Sequence, residues 1–270
     1  MKIIKIAATI VLALFVLLIA FYNVRGMLTL GTIEPALDPV RDISANKIVL
    51  VMGATGSVGD GLLKAAIEDP NVAKIHVITR RSSARIEAGV ASGKVTMLEH
   101  QDFTDFSSFE TELAEVNTVL WGLGVSSIGT DEVLYKKIQL DFPVAFTKQW
   151  LAVRNTGPMA FHYITGMGTD GDAGWAKVKR QAELELTAMA ENTPLRTFHY
   201  RSAFVRPTAE QSNAFHYLLE ALFTPGSMVI SAKELGQCML EIGIRTKELT
   251  NGAIIDNADS IAYADTYRTE

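Results

Sequence analysis

Three glycines at a spacing of three, Gly53, Gly56 and Gly59, are the residues of this sequence best suited to hold a phosphorylated ligand. Glycine has no Cβ, so Gly53 can turn the chain sharply, Gly56 can let the backbone approach a pyrophosphate, and Gly59 can let a helix pack closely. An apolar run at 48–52 precedes the glycines, and an amphipathic pattern begins at Leu62. The first amides of such a helix bind anions, so the pattern predicts a dinucleotide site, with a ligand-free glycine-rich turn as the alternative. The predicted cofactor-binding turn also contains Thr55, Ser57 and Val58.

Two adjacent arginines, Arg80 and Arg81, follow the second predicted strand at 74–79. A cofactor with a free ribose 2′-hydroxyl favours an acidic residue at that place, whereas guanidinium groups pair well with a 2′-phosphate. The arginine pair therefore predicts NADP rather than NAD. The alternative is that these arginines are solvent-exposed loop charges.

Asp102 follows the third predicted strand, at 94–98, where the adenine ring of a dinucleotide would lie in such a fold. Its carboxylate can accept a hydrogen bond from the adenine amino group, or it can cap a helix that begins near Asp105. The sequence leaves both interpretations open.

The fourth predicted strand, at 118–123, ends in residues suited to the nicotinamide end of the ligand. Gly122 and Gly124 lie there, with Ser126 and Ser127 just beyond. Glycines at the carboxyl end of a central strand keep the backbone clear for the nicotinamide ribose. Gly122 is therefore included in the predicted cofactor site.

The alternation of strands and helices along the chain determines the expected fold. Further strands are predicted at 159–164 and 195–200, with helices at 57–68, 131–153 and 173–192. This alternation calls for a parallel sheet with both faces covered, so we expect an α/β doubly wound Rossmann sheet over residues 47–270. The helix at 131–153 contains a proline and is expected to kink there.

Residues 206–270 are interpreted as a cover on the substrate side of this domain. A helix is predicted over Asn213–Phe223, and a second, over Ala232–Arg245, begins with a capping box formed by Ser231 and Glu234. The apolar residues of this region favour a hydrophobic small molecule or a protein partner. Burial against the main sheet explains them equally well.

The N-terminal segment is a separate unit, in which an uncharged stretch at 6–22 follows Lys2 and Lys5. Its length is at the short end of what spans a lipid bilayer as a helix. Residues 1–25 are therefore predicted to be a single-pass membrane anchor, with a cleaved signal peptide as the alternative. Glycines and prolines interrupt residues 26–46, which are expected to form a linker.

Two arguments about the orientation in the membrane conflict. Lysines precede the uncharged stretch and basic residues are sparser after it, which mildly favours a cytoplasmic N-terminus. Soluble dinucleotides are concentrated in the cytosol, which favours a cytoplasmic domain. We give the ligand argument slightly more weight and expect the domain on the cytoplasmic side, although the small difference in charge leaves the topology open.

Composition excludes several other functions. The chain has 270 residues, 48% of them hydrophobic, and a net charge of −5, which suits one substantial domain with appendages. No clustered basic face supports binding to a nucleic acid. Cys238 is the single cysteine, so an intramolecular disulfide or a cysteine-based zinc site is excluded, and no metal site is predicted.

From Lys47 onward the chain resembles the atypical short-chain dehydrogenases/reductases, in particular the NmrA-like and Tat-interactive-protein-like oxidoreductases. The resemblance rests on the following ordered features: the glycine turn, Arg80-Arg81, Gly122-x-Gly124, Thr165-Gly166-Met167-Gly168, Lys179 with Glu183, and Tyr200-Arg201-Ser202. Enzymes of this family use a tyrosine four residues before a lysine. The resemblance implies that the tyrosine is a general acid or base, that the lysine lowers its pKa and holds the nicotinamide ribose, and that a Ser or Thr orients the substrate.

This sequence departs from the family pattern at the tyrosine. Lys179 is present, but Trp175 occupies the position four residues before it, and an indole has no proton that exchanges near neutral pH. Thr165 stands in the place of the orienting serine, or is a strand-end hydroxyl that caps a turn. Lys179 either holds the cofactor ribose or pairs with Glu183 on the helix surface.

Two functions remain after this comparison. The first is a membrane-anchored NADP-binding protein that is non-catalytic or weakly active because Trp175 replaces the tyrosine. The second is an NADP-dependent oxidoreductase that acts on a hydrophobic carbonyl or alcohol. The fold does not distinguish them, because function depends on the site.

Overall fold

A sheet of seven parallel strands forms the centre of the part of the chain that the structure describes. The computed structural model covers residues 2–267, apart from the side chains of residues 2–4, 7 and 8. In spatial order the strands are β3 (Val95–Glu99), β2 (Lys74–Thr79), β1 (Ile48–Met52), β4 (Thr118–Trp121), β5 (Met159–Ile164), β6 (Leu195–Arg201) and β9 (Ala253–Asp256). A separate pair consists of β7 (Phe204–Arg206) and β8 (Val229–Ser231). The strand order reverses between β1 and β4, which confirms the predicted doubly wound parallel sheet.

Helices cover both faces of this sheet. The described helices are α1 (Lys2–Thr29), α2 (Gly59–Glu68), α3 (Ala84–Ala91), α4 (Glu110–Glu115), α5 (Glu132–Lys136), α6 (Phe142–Val153), α7 (Gly174–Ala190), α8 (Ala214–Phe223), α9 (Ala232–Ile244) and α10 (Asn257–Thr266). On one face α2 crosses α9 closely, because glycines lie at the contact. A Cβ on Gly61 would lie 2.3 Å from the Cβ of Ala232, and one on Gly236 would lie 2.7 Å from that of Ala65.

Two apolar cores fill the space between the sheet and these helices. One joins the inner side of β1 and β2 to α2 and α9 through residues such as Leu62, Leu235 and Met239. The other joins β4 and β5 to α6 and α7 and contains Phe146, Trp150 and Phe161. Burial of apolar area on both faces is the main favourable contribution to the stability of a sheet of this kind.

The helix predicted over 131–153 contains a π-helical turn, Lys137–Asp141, between α5 and α6. Pro143 has no N–H group, so it cannot donate to the carbonyl oxygen of Gln139 four residues earlier. The hydroxyl group of Tyr163 on β5 donates to that oxygen instead. The expected kink is therefore a π-helical turn, and it connects the helix to the central sheet.

The N-terminal helix α1 contains a candidate membrane span, Thr9–Thr29, with 21 residues and a mean hydropathy of 2.1. By length and composition it can cross a membrane, and a signal sequence would meet the same criteria. The helix continues past residue 25, where the sequence placed the end of the anchor. Gly26 lies inside it because the helix packs against Gly226 there, and a Cβ on Gly26 would lie 2.2 Å from the carbonyl oxygen of Gly226.

Residues 30–46, which were expected to form part of a linker, pack along the domain. The carboxylate of Asp259 accepts hydrogen bonds from the amides of Thr32 and Ile33 at 2.8 and 2.9 Å. Arg41 forms an ion pair of 2.6 Å with Glu241 on α9. These contacts connect α1 to α9 and α10, so this segment is a strap rather than a free linker.

The region at 206–270 divides into two parts. Helices α9 and α10 pack on the central fold, and β9 pairs with β6 at the edge of the main sheet. The capping box of Ser231 and Glu234 is present at the start of α9. Only the first part of the region, through α8, stands apart from the sheet, and α8 lies beside α1.

Candidate functional site

The carboxyl ends of the central strands bring most of the predicted site residues to one edge of the sheet. Met52, the last residue of β1, pairs with Ile78 on β2 and Trp121 on β4. Trp121 pairs in turn with Tyr163 on β5. Residues that follow these strands therefore share the crevice at the point where the strand order reverses, which is where ligands bind in folds of this type.

The glycine turn between β1 and α2 has a geometry that only glycine accommodates at two positions. Gly53 has a φ angle of +76°, and a Cβ there would lie 2.6 Å from the backbone of Gly122. A Cβ on Gly59 would lie 2.0 Å from the carbonyl oxygen of Gly53. Gly56 is exposed and makes the turn through its amide, which donates to Gly53 at 2.9 Å. The turn is thus compact and leaves its outer side open.

The amides at the start of α2 are free to bind an anion. Among the residues that the structure describes, no protein group accepts a hydrogen bond from the amides of Ser57, Val58 and Gly59. The nearby carboxylate of Asp60 is neutralised by Arg85, with an Nε to Oδ1 distance of 2.7 Å, so it adds little repulsion. Free amides and the positive end of the helix dipole suit a pyrophosphate.

A cavity of about 330 Å³ begins at this turn and extends along the strand ends. Its lining includes several residues of the predicted site: Gly56, Ser57, Val58, Gly122, Thr165 and Lys179. Gln139 and Tyr135 also line it, on the side of the π-helical turn. The structure therefore brings together the glycine turn and the two residues that the family resemblance implied for the nicotinamide end.

Lys179 lies on α7 and is 7% exposed. Its ammonium group donates to the side-chain oxygen of Gln139 at 2.7 Å and to the carbonyl oxygen of Ile164 at 2.8 Å. Burial lowers the pKa of this amine to about 7, against an opposing effect from Glu183. The alternative surface pair of Lys179 with Glu183 does not form, because Glu183 pairs with Arg201 at 2.8 Å.

Tyr163 supplies a tyrosine near this lysine, although not from the expected helix. Its hydroxyl oxygen lies 3.3 Å from the Nζ of Lys179. The hydroxyl donates its proton to the carbonyl oxygen of Gln139, and burial raises the pKa of Tyr163 well above its usual range. Tyr163 is completely buried, so it holds the lysine in place and does not face the cavity.

Trp175 and Tyr135 both line a neighbouring cavity of about 280 Å³. Trp175 is half-buried at the start of α7. Tyr135 lines both this cavity and the larger one, and within the described residues its hydroxyl makes no hydrogen bond. Burial raises the pKa of Tyr135. Sequence reasoning missed this residue, because Gln139 rather than a lysine stands four positions after it.

Thr165 is buried, and its hydroxyl donates to the carbonyl oxygen of Tyr200 at 3.3 Å. Its amide donates to the same oxygen at 2.9 Å. Thr165 lines the larger cavity while it closes the end of β5 against β6. Both interpretations of this hydroxyl, as a cap of the strand end and as a group near the ligand, remain compatible with its position.

Arg80, Arg81 and Asp102 lie at the strand ends but outside the larger cavity. Both arginines are exposed, and the guanidinium of Arg80 lies 5.9 Å from the centre of the Phe103 ring. The carboxylate of Asp102 accepts hydrogen bonds from the amide and hydroxyl of Thr104 at 3.0 and 2.6 Å, which lower its pKa. Asp102 therefore closes a local turn and does not cap α4, so the capping alternative is not observed.

Comparisons with known proteins agree with this architecture. No protein-family model matches the chain. Among solved structures, a short-chain dehydrogenase/reductase from Serratia marcescens superposes with a TM-score of 0.60 and 15% identity, over 83% of this chain and 100% of that one. A 3-oxoacyl-[acyl-carrier protein] reductase from Brucella melitensis in complex with NAD gives a TM-score of 0.57 and 16% identity, over 80% of this chain and 97% of that one. At these identities the likeness shows the fold alone, which is a Rossmann fold.

Three curated proteins have detectable sequence similarity. Protein fmp52, mitochondrial, of Emericella nidulans is 25% identical over 143 residues, which are 51% of this chain and 58% of that protein. Protein fmp52-1, mitochondrial, of Aspergillus terreus is 24% identical over 170 residues, 61% of this chain and 69% of that protein. A stretch of 49 residues, 18% of this chain, is 41% identical to the hybrid PKS-NRPS synthetase gkaA of Penicillium citrinum and covers 1% of it. The chain thus matches little more than half of the first fungal protein.

Proposed function

We propose that this chain is a membrane-anchored NADP-binding protein of the atypical short-chain dehydrogenase/reductase type, of the NmrA-like and Tat-interactive-protein-like group, with little or no turnover. The observation that carries the proposal is the row of free amides at Ser57, Val58 and Gly59, which opens into the cavity lined by Gly122 and Lys179. Those amides would hold the pyrophosphate, and the glycine would admit the nicotinamide ribose.

The preference for NADP rests on Arg80 and Arg81. Both side chains are exposed and directly follow Thr79, the last residue of β2. The end of this strand provides no carboxylate for a ribose 2′-hydroxyl. Guanidinium groups pair with phosphate oxygens through two hydrogen bonds each. The 2′-phosphate of NADP would therefore bind at this place.

The proposed low activity rests on how the residues around Lys179 are engaged. Trp175 cannot exchange a proton near neutral pH. Tyr163 is the tyrosine near the lysine, but it is buried and its proton is donated to Gln139. The ammonium group of Lys179 is engaged by Gln139 and Ile164. The domain would act on the cytoplasmic side of the membrane that α1 crosses.

One observation favours a second candidate, an NADP-dependent oxidoreductase for a hydrophobic carbonyl or alcohol. Tyr135 lines both cavities, and within the described part of the chain its hydroxyl makes no hydrogen bond. Burial raises its pKa, so the hydroxyl keeps its proton at neutral pH. NADPH would supply a hydride to the carbonyl carbon. Tyr135 would then give its proton to the carbonyl oxygen, which becomes a hydroxyl group, and solvent would reprotonate the tyrosine.

A binding experiment with the full chain in detergent micelles tests the main proposal. NADPH fluorescence is expected to increase on addition of the protein, and Gly56→Val is expected to abolish that increase because its side chain would project into the path of the pyrophosphate. An added Cβ at Gly56 meets the carbonyl oxygen of Gly53 at 3.3 Å, so the fold should tolerate it, and the melting temperature of the variant checks this. Equal binding by both proteins would contradict the proposed site.

The two candidate functions differ in their response to Tyr135→Phe. If the chain reduces a hydrophobic aldehyde with NADPH, this substitution should abolish the reaction and leave NADPH binding unchanged. If the wild-type chain binds NADPH and reduces no aldehyde or ketone, the oxidoreductase candidate is wrong and the binding protein remains.

A further inference from the structure

Helix α8 exposes an apolar face where a helix on a protein surface normally exposes charges. Its five exposed residues are Ala214, Phe215, Tyr217, Leu218 and Ala221, and none of them is charged. Phe215 and Leu218 are 62% and 53% exposed. No residue of α8 is fully buried, although six of its ten residues are large and apolar. A surface helix usually directs its apolar stripe inward, so this arrangement requires an explanation.

The inner side of α8 is already in use. Glu220, its single acidic residue, pairs with Arg206 on β7 at 2.7 Å. Leu219 and Phe223 line a cavity of about 280 Å³ together with Met167 and Met228. The opposite face of α8 already contacts the domain, so a rotation of the helix about its axis would not bury its apolar residues better.

Helix α8 is attached to the candidate membrane span. The side chain of Asn23 on α1 donates to the carbonyl oxygen of Leu222 at 2.9 Å. At the following turn Gly226 approaches α1 so closely that a Cβ there would lie 2.6 Å from the Cα of Asn23. Asn23 directly follows the uncharged stretch at 6–22, and Arg25, the first charged residue after Lys5, ends the uncharged part of the candidate span Thr9–Thr29. A helix attached at that level lies at the depth of the interface between lipid and water.

We propose that α8 lies in the surface of the bilayer beside α1, with Phe215 and Leu218 among the lipid acyl chains. The inference rests on the proposed membrane anchor. The occupant of the exposed face is lipid, because α1 places that face next to the span and the face offers no charge to a polar partner. The tyrosines Tyr22 and Tyr217 then lie where aromatic residues with a polar end are favoured.

This position has a consequence for the cavity beneath α8. Tyr22 of α1 lines that cavity, together with Phe204 and Leu219 from the domain. With α8 in the bilayer surface, the cavity opens toward lipid rather than water. It would then receive a hydrophobic molecule that is dissolved in the membrane.

Fluorescence quenching of the full chain in phosphatidylcholine vesicles tests the proposal. Three variants, Phe215→Cys, Leu218→Cys and Leu184→Cys, carry an environment-sensitive fluorophore at the new cysteine, while native Cys238 is buried and does not react. Leu184 is the matched control, since it is 66% exposed on α7, whose outer face also carries Lys177 and Gln181. Nitroxide groups on the acyl chains should quench positions 215 and 218 at least about fivefold more than position 184.

A fourth variant, Phe15→Cys, separates this proposal from the membrane anchor on which it rests. Quenching at 15 without quenching at 215 and 218 leaves the anchor intact and overturns the proposal for α8. Absence of quenching at all three positions overturns both. The fluorophores at 215 and 218 could instead be protected from both the lipid nitroxide and aqueous iodide, while chemical cross-linking joins two chains. That result overturns the proposal, because a second copy of this chain would then cover the exposed face of α8. NADPH binding by the same proteins reports separately on the dinucleotide site.

Discussion

Raising the pH from 7 to 8.5 should stabilise the fold, because Lys179 is buried without a carboxylate partner. Burial lowers the pKa of its amine to about 7 in the folded chain. In the unfolded chain the pKa returns to roughly 10.4. Between these two values the unfolded state binds more protons than the folded state, so the free energy of unfolding rises with pH in this window.

The size of the effect follows from the two pKa values. Where Lys179 is deprotonated in the folded chain and protonated in the unfolded chain, each pH unit adds about 1.4 kcal/mol to the free energy of unfolding. Near pH 7 the folded chain is still half protonated, so the total gain between pH 7 and 8.5 is about 1.5–2 kcal/mol. For a domain of this size the melting temperature should rise by roughly 3–8 °C.

Other buried groups affect the free energy of unfolding mainly outside this window. Burial lowers the pKa of His162 and lowers that of His199 to about 4. The rise in the free energy of unfolding that these histidines cause therefore ends near their ordinary pKa of about 6.5. Burial raises the pKa of Cys238 and of Tyr163. The unfolded chain loses the proton of Cys238 at about pH 8.5, so this thiol offsets a small part of the rise at the upper end of the window, whereas Tyr163 opposes stability only at about pH 10 and above.

The assay is the melting temperature of the full chain in detergent micelles at several pH values, for the wild type, Lys179→Met and Lys177→Met. Lys177 is exposed on the same helix and serves as the control. The rise between pH 7 and 8.5 should persist in Lys177→Met and disappear in Lys179→Met. A rise of equal size in all three proteins would refute the assignment to Lys179.

Three further predictions concern the cofactor, the chemistry and the anchor. The double substitution Arg80→Ala and Arg81→Ala should weaken NADPH binding at least about tenfold, because charge-assisted hydrogen bonds are worth about 1.5–3 kcal/mol. Calorimetry should show NADH binding unchanged. Equal losses of affinity for both cofactors would contradict the assignment of the arginines to the 2′-phosphate. Trp175→Tyr should introduce or increase NADPH-dependent reduction of a hydrophobic aldehyde, followed by NADPH absorbance, and no gain would show that more than the tyrosine is missing. Gly26→Leu should lower the melting temperature without changing the affinity for NADPH, because the added Cβ would lie 2.2 Å from the carbonyl oxygen of Gly226. An unchanged melting temperature would contradict the observed packing of α1.

The parallel sheet was predictable because its strands are short apolar runs bounded by turn residues. The bounds of β1, β2 and β5 agree with the sequence prediction. The predicted start of α2 was two residues too early, since residues 57 and 58 belong to the glycine turn. Helix α3 and the strand pair of β7 and β8 were missed, because short elements carry little periodic signal.

The surroundings of Lys179 were not predictable from local patterns. Gln139 is 40 residues away in sequence and reaches the lysine through the π-helical turn before Pro143. Tyr163 lies in an apolar run that forms a central strand, which indicates that it is buried but not what its hydroxyl contacts. A rule that searches for tyrosine four residues before lysine finds neither Tyr163 nor Tyr135.

The orientation of α8 shows a similar limit. The spacing of its apolar residues predicted a helix with one apolar side, and the helix is present. Periodicity does not show which side the rest of the chain covers. That outcome depends on the close contact of Gly226 with Asn23 on α1, between segments about 200 residues apart.

Thermal stability of the full chain in micelles with NADPH and, separately, with NADH is the most direct test of the central claim. A ligand present at about 100 times its dissociation constant stabilises the fold by about 2.7 kcal/mol, which is a shift of several degrees. The full chain is needed because the strap at 30–46 packs on α9 and α10. We expect NADPH to raise the melting temperature and NADH to raise it less. If neither cofactor changes it, the glycine turn does not bind a dinucleotide and the account is wrong.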